Sequence, residues 1–422
     1  MAPPPSSPPP FAEAVRFWAK LGFVSFGGPA GQIAILHREV VERRHWLDEG
    51  EFTRALNFCM LLPGPEALQL AIFLGWKLHG IRGGLVAGLG FILPAVLLLF
   101  ALSYAYVAHG SLPWVAALLY GLKAAVVALV LQALVRIARR ALQSSLHVVL
   151  ALGSFVALEF ARLPFPFVLL VAAAAGAYLA RHVTATEGAA ASVTPARGTQ
   201  TARVAAVGLT LWLIPLLVVA ATLGGTSLWT AVYLFFTKAA LVTFGGAYAV
   251  LGYVTSQLVD KLAWVTAEQS VAGLALAETT PGPLIIVLQF MGFMAGWNQP
   301  GPLSPLGSAL LAGALATWAT FLPSFVFILL GAPYVERLTR NAHIAGALGA
   351  ITAAVVGVIA TLALLLAQVV LFPDGWRAAP DWSAVLIALA AWFLLERARW
   401  PLGPVLLAAA ASGLFLRLLL QQ

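Results

Sequence analysis

Two carboxylates stand beside two identical breaks in apolar sequence. Glu66 follows Pro63-Gly64-Pro65 in "MLLPGPEALQL", and Glu278 precedes Pro281-Gly282-Pro283 in "LAETTPGPLIIVLQF". A carboxylate among apolar residues can take up and release a proton. Pro-Gly-Pro frees backbone N–H groups, because proline interrupts the helix ladder and glycine permits non-helical dihedrals. A half-helix that starts after such a break carries roughly half a positive charge at its first turn, which suits an anion. Three lysines add charge: Lys20 and Lys238, each six residues ahead of a Phe-Gly-Gly turn, and Lys123, inside an apolar run. A cation at the bilayer centre costs on the order of 3 kcal/mol or more and needs a partner.

The candidate anion-contacting set is therefore Lys20, Ser25, Gly27, Gly28, Pro63, Gly64, Pro65, Gln69 and Lys123, with Lys238, Thr243, Gly245, Gly246, Pro281, Gly282, Pro283 and Gln289. Glu66 and Glu278 are the proton-coupling candidates. Each has a structural alternative. Lys20 and Lys238 could snorkel to the interface, and Lys123 could sit in a structural ion pair. Glu66 could cap the half-helix opened by Pro65. Glu278 lacks that explanation, which favours proton handling. Gly84, Gly88, Gly90 and Gly121 read as close helix packing.

The elements that must position these residues are membrane spans. The chain has 422 residues, 61% hydrophobic and 9% charged, against roughly 25% charged in a soluble domain. Apolar runs recur at 83–107, 112–135, 204–223, 306–330, 344–372 and 401–420, and ~20 apolar residues cross a bilayer as a helix. No polar stretch is long enough for a soluble catalytic domain. The net charge of +8 is scattered through short loops, as the positive-inside bias produces, and does not form a nucleic-acid face. Cys59 is the only cysteine and the seven histidines show no metal-ligand spacing, so neither a metal nor another cofactor is expected. Without a P-loop or a nucleophile triad, the expected energy source is an ion gradient. "MAPPPSSPPP" lacks the charge and apolar core of a signal peptide and reads as a disordered cytoplasmic tail (1–10).

The chain is written twice. Lys20, Phe26-Gly27-Gly28, Trp46 and Pro63-Gly64-Pro65 return as Lys238, Phe244-Gly245-Gly246, Trp264 and Pro281-Gly282-Pro283 at a constant offset of 218. Beyond an insertion the offset is 229, pairing Leu93-Pro94 with Leu322-Pro323, and finally 237, pairing 168–176 with 405–413. The expected organisation is a first repeat at 11–180, a polar linker with one connecting span at 181–228, and a second repeat at 229–422.

An odd connecting span delivers the second repeat to the opposite face. The loops agree: "RIARR" (136–140) is basic and its mate "PDGWRAAPDW" (373–382) is not, whereas "YVAHGSL" (106–112) lacks Lys and Arg and its mate "PYVERLTRNAH" (333–343) has two Arg. Keeping the basic residues of the first repeat on one side requires 11–36 and 52–80 to dip in and return, the alternative being kinked full spans. The expectation is an all-α integral membrane protein of two inverted-topology repeats with broken, re-entrant helices. Its amino terminus is cytoplasmic and its carboxyl terminus periplasmic. Inverted repeats with discontinuous helices mark the substrate sites of secondary transporters.

"LGFVSFGGPAGQIAILHREVVERRHWLDEGEF", "LLPGPEALQLAIFLGW" and "TTPGPLIIVLQFMGFMAGW" closely resemble signature stretches of the chromate ion transporter family in its long, two-domain form. The resemblance covers both repeats. It implies an inner-membrane protein that exports chromate with the proton motive force, sulfate competing as a second tetrahedral dianion. The family's motif residues fall on Phe26 to Pro29, Gln32, Trp46, Pro63 to Glu66, Gln69 and Pro281 to Pro283. In one departure, "PEALQLA" places Leu68 where the resemblance leads one to expect a glutamine. Sulfate import and a non-transporting membrane scaffold stand as alternatives, and a homodimer stays open.

Overall fold

The computed structural model describes residues 8–180, 198–335 and 342–420. Most of the Pro-rich start, most of the polar linker and part of the 333–343 turn lie outside the described residues. All regular structure among the described residues is helical. The first repeat contains α1 (Phe11–Val24), α2 (Gly28–His37), α3 (Glu49–Leu61), α4 (Glu66–His109), α5 (Pro113–Ala141), α6 (Ser145–Glu159) and α7 (Phe165–Leu179). After α8 (Gly198–Leu223), the second repeats the order as α9 (Leu228–Leu241), α10 (Ala247–Ser256), α11 (Ala267–Glu278), α12 (Val287–Asn298), α13 (Pro305–Gly331), α14 (Ala342–Leu371), α15 (Trp382–Glu396) and α16 (Leu402–Leu420). Among the described residues, five helices are long and apolar enough to cross a membrane. The protein is a multi-pass membrane protein.

The broken segments are hairpins. At 14 and 10 residues, α1 and α2 measure about 21 and 15 Å, each short of a ~30 Å hydrocarbon core. Their far ends meet where Arg44 Nη1 lies 2.9 Å from Glu13. Asp48 caps α3 by accepting from the Glu51 N–H, and Lys77 Nζ returns to within 3.1 Å of Glu51 Oε1, so α3 and the first limb of α4 (66–78) lie side by side with Pro-Gly-Pro at their tip. At His79 and Gly80 the helical dihedrals fail, and α4 folds back on itself with Gly75 and Gly83 in contact. In the second repeat Asn298 Nδ2 donates to the Trp264 carbonyl (2.9 Å), closing the base of the α11–α12 hairpin.

The second limb of α4 (81–109) leads away from the Glu51–Lys77 base, and α5 starts at the other end of the bundle. About three turns into α5, Lys123 meets Glu268 at the start of α11. The α3–α4 and α11–α12 hairpins thus enter from opposite ends.

The repeats also exchange parts. The α6–α7 pair packs on α14 of the second repeat, and the α15–α16 pair packs on α5 of the first. Small residues permit both contacts, Gly121 against Gly413 and Gly176 against Gly346. Among the described residues, the four non-glycine residues with positive φ form two repeat pairs, His45 with Ala263 and Arg162 with Arg399, so the backbones match even in their strained turns.

A side chain at Gly121 or Gly413 must push α5 from α16, since a β carbon on Gly413 falls 2.7 Å from the Gly121 α carbon. Overpacking of this kind costs about 1–3 kcal/mol. Gly121→Leu and Gly413→Leu are expected to lower the thermal midpoint and the membrane level, whereas Gly153→Leu, with nothing within 4 Å, should match wild type by fluorescence-detected size exclusion.

Candidate functional site

The four hairpin tips meet by one hydrogen bond made twice. The Gly64 N–H donates to the Thr243 carbonyl (2.8 Å), and the Gly282 N–H donates to the Ser25 carbonyl (2.8 Å). Both partners move by the repeat offset of 218, as a two-fold relation requires. Ser25 and Thr243 are buried, with hydroxyls donating back to Leu21 and Ala239 (2.6 Å each). The Pro-Gly-Pro amides therefore supply the joint itself, with Gly64 at φ 138° and Gly282 at φ 101°, a region open to glycine.

Buried amides surround the joint. Gln32 Nε2 donates to the Ser25 carbonyl (3.2 Å) and also to the Gly282 carbonyl. Gln69 Nε2 donates to the Pro63 carbonyl (2.8 Å) and Gln289 Nε2 to the Val96 carbonyl (2.9 Å). The amide oxygens of all three, with the Ser324 hydroxyl, are buried without a partner among the described residues. Leaving such a group unmatched costs about 1–3 kcal/mol, so they mark the centre as a place prepared for polar company. Ser324 lies under Gly64, where a β carbon would come within 2.6 Å of its Oγ; Ala95, its mate at the offset of 229, lies under Gly282.

A cavity of about 280 Å³ lies beside this centre, between the start of α2, α5 and the α15–α16 turn, with Phe-Gly-Gly but not Pro-Gly-Pro residues in its wall. Gly27, Gly28, Arg136, Arg399, Tyr248 and Glu278 line it. Glu278 is the only charged side chain among the buried described residues, and Tyr248 donates to its Oε1 at 2.6 Å. Neither arginine has an ion-pair partner among the described residues. Two free guanidinium groups, the amino-terminal end of a helix and one buried carboxylate can hold an anion and exchange a proton beside it. A second cavity of about 550 Å³ surrounds Arg162, the repeat mate of Arg399, but its walls include neither Pro-Gly-Pro nor Phe-Gly-Gly.

The other candidates are distributed as follows. Gly245 and Gly246 adopt positive φ like Gly27 and Gly28, and Pro63, Pro65, Pro281 and Pro283 flank the bonded glycines. Glu66 occupies the first turn of α4, half-buried, its carboxylate without a hydrogen bond among the described residues. Lys123 is paired with Glu268 at 2.8 Å. Lys20 and Lys238 are exposed, as Arg136 and Arg399 are, but neither lines the cavity of Glu278, and Lys20 shares a separate cavity with Arg38, Arg43 and Arg44. Six residues place each about 9 Å below its Phe-Gly-Gly turn.

The profile of the family described as Chromate transporter matches residues 12–177 and 230–414, one copy on each repeat. The chain belongs to the chromate transporter family. A probable chromate transport protein of Synechococcus elongatus is 30% identical over 408 residues, 95% of this chain and 94% of that protein. A chromate transport protein of Pseudomonas aeruginosa is 34% identical over 369 residues, covering 87% and 82%. One of Cupriavidus metallidurans is 28% identical over 404 residues, covering 94% and 91%. No solved structure matches the chain.

Sequence reasoning did not place Arg136, Arg399, Tyr248 or Ser324 in the candidate site. Arg136 reads as part of a topogenic loop. The available signal is broken symmetry: the repeat mates of Tyr248, Glu278 and Arg136 are Ala30, Met60 and Leu365.

Proposed function

We propose that the protein is a secondary transporter that exports chromate from the cytoplasm across the inner membrane, drawing on the proton motive force. The carrying observation is that two unpaired arginines and one buried carboxylate share a cavity beside the crossing of the hairpin tips. With two inverted repeats and the basic "RIARR" loop inside, this cavity opens to the cytoplasm, and the protein stands in the state that accepts its anion from that side. The amino terminus is then cytoplasmic and the carboxyl terminus periplasmic. A dianion leaving an inside-negative cell gains about 4.6 kcal/mol per 100 mV, twice the value for one charge, so the membrane potential drives export, with Glu278 adding proton control. The remaining anion contact is the Gly27-Gly28 turn that opens the first turn of α2.

Uptake of radiolabelled chromate into inside-out vesicles, with sulfate as competitor, tests this. Arg136→Gln and Arg399→Gln are each expected to raise the half-saturating chromate concentration about tenfold, ~1.4 kcal/mol. Arg139→Gln, whose partner is Glu396 at the surface, and Lys20→Gln should change it less than twofold. Wild-type vesicles that accumulate sulfate and ignore chromate would replace the substrate. Equal effects of Arg136→Gln and Arg139→Gln would remove the cavity from the path.

A further inference from the structure

Helix α5 presents cations to two cavities. Arg136 lines the one that holds Glu278, and thirteen residues earlier, about 20 Å along the helix, Lys123 lines another of about 570 Å³. That second cavity lies at the opposite end of the bundle and also contains Glu268, Arg417 and Asp381. The charges there are tied up: Lys123 Nζ is 2.8 Å from Glu268 Oε1, and Arg417 lies 3.6 Å from Asp381. Glu268 and Glu278 both belong to α11, ten residues or about 15 Å apart, and α11 packs on α5. One pair of helices therefore carries a cation and a carboxylate at each end.

The repeat supplies a comparison within the same molecule. The mate of the α5–α11 pair is α14 with α3, and there the four positions hold Thr352, Leu365, Gly50 and Met60. That pair folds and packs with no charge at any of them. Helix packing does not demand the charges, and a purely structural need would apply to both pairs.

We propose that Lys123 and Arg417 form an outer site for a tetrahedral oxyanion, the far end of a single charged path along α5 and α11, and that Glu268 occupies Lys123 when the anion is absent. This rests on the transport reading above and adds the place of release. Glu268 is suited to the exchange because it lies at the rim, its side chain 73% exposed against 16% for Lys123, so it can swing to water while the lysine stays. The anion arriving at Lys123 then replaces one carboxylate by another negative group, and Lys123 keeps a counter-charge throughout.

Chromate exchange measured separately in right-side-out and inside-out vesicles gives a half-saturating concentration for each face. Lys123→Gln is expected to raise the outer-face value about tenfold, leaving the inner-face value within twofold, and Glu268→Gln to lower the outer-face value by removing the competitor. The Lys123→Gln/Glu268→Gln double variant, with no charge left unpaired, should accumulate normally and keep the raised outer-face value. If both faces change together, or the double variant binds chromate from outside like wild type, Lys123–Glu268 is a structural ion pair and the proposal fails. Wild-type exchange of chromate is the separate control: its absence would overturn the transport reading, and its presence with an unaffected Lys123→Gln would overturn only the outer site.

Discussion

Gly282→Ala is expected to bring chromate transport to background. Two costs add at this position. The backbone at φ 101° lies where a non-glycine residue is strained by about 1–3 kcal/mol. The new methyl would also fall 2.7 Å from the Ala95 β carbon, well inside the ~3.5–4.0 Å at which carbon atoms attract. The second repeat's tip must retreat, which breaks the Gly282–Ser25 hydrogen bond and the grip of Gln32 on the Gly282 carbonyl. Gly246→Ala provides the contrast, because it meets nothing within 4 Å and bears only the backbone strain of φ 95°; it should keep measurable transport. Combining Gly282→Ala with Ala95→Gly removes the clash and keeps the strain. Partial recovery of transport in vesicles is the expected result, and a double variant as inactive as the single one would show that strain alone decides.

Glu278→Gln is expected to abolish the pH dependence of anion binding and leave exchange intact. An ionised Glu278 repels a dianion in the same cavity, by about 3 kcal/mol per anion charge at ~6 Å and an effective dielectric near 20. Protonation removes that repulsion, so anion and proton binding reinforce each other, and wild-type affinity from the cavity side should rise as pH falls. A proton that left with the anion would reduce the electrical gain to about 2.3 kcal/mol per 100 mV, so the membrane potential and not the pH gradient drives net export. The glutamine variant holds the neutral state, so its affinity should be high and flat across pH 6–8.5, and a pH gradient should no longer alter accumulation. Sulfate, which does not titrate in that range, separates the protein's proton from chromate's own. Tyr248→Phe, which removes the 2.6 Å hydrogen bond to Glu278, should shift the profile and retain its shape. Glu66→Gln serves as comparison. A first-turn carboxylate contributes roughly 0.3–1 kcal/mol to its helix, so stability should fall slightly with the pH profile unchanged. A wild-type profile in Glu278→Gln would move the proton to another group.

The sequence by itself determined the architecture of this protein. Offsets of 218, 229 and 237 carry the two repeats, and proline and glycine at 26–29, 63–65 and their mates fix where helices must break, because those limits are set by covalent geometry within a few residues. The exchange of basic loops between the repeats fixes their expected opposite sense. Only the tertiary structure decided which tip meets which. Gly64 bonds to Thr243 and Gly282 to Ser25, pairings between residues far apart in the chain that no local propensity specifies. It also decided which cations share a cavity with Glu278. A side chain's direction turns by about 100° per residue around a helix, and each Phe-Gly-Gly or Pro-Gly-Pro break resets that phase. Lys20 and Lys238, correctly spaced from the breaks, therefore line no cavity with Glu278, while Arg136, in a run that sequence reads as a topology signal, and Arg399 are brought to the rim of that cavity, exposed but beside Glu278, by the exchange of α15 and α16 onto α5.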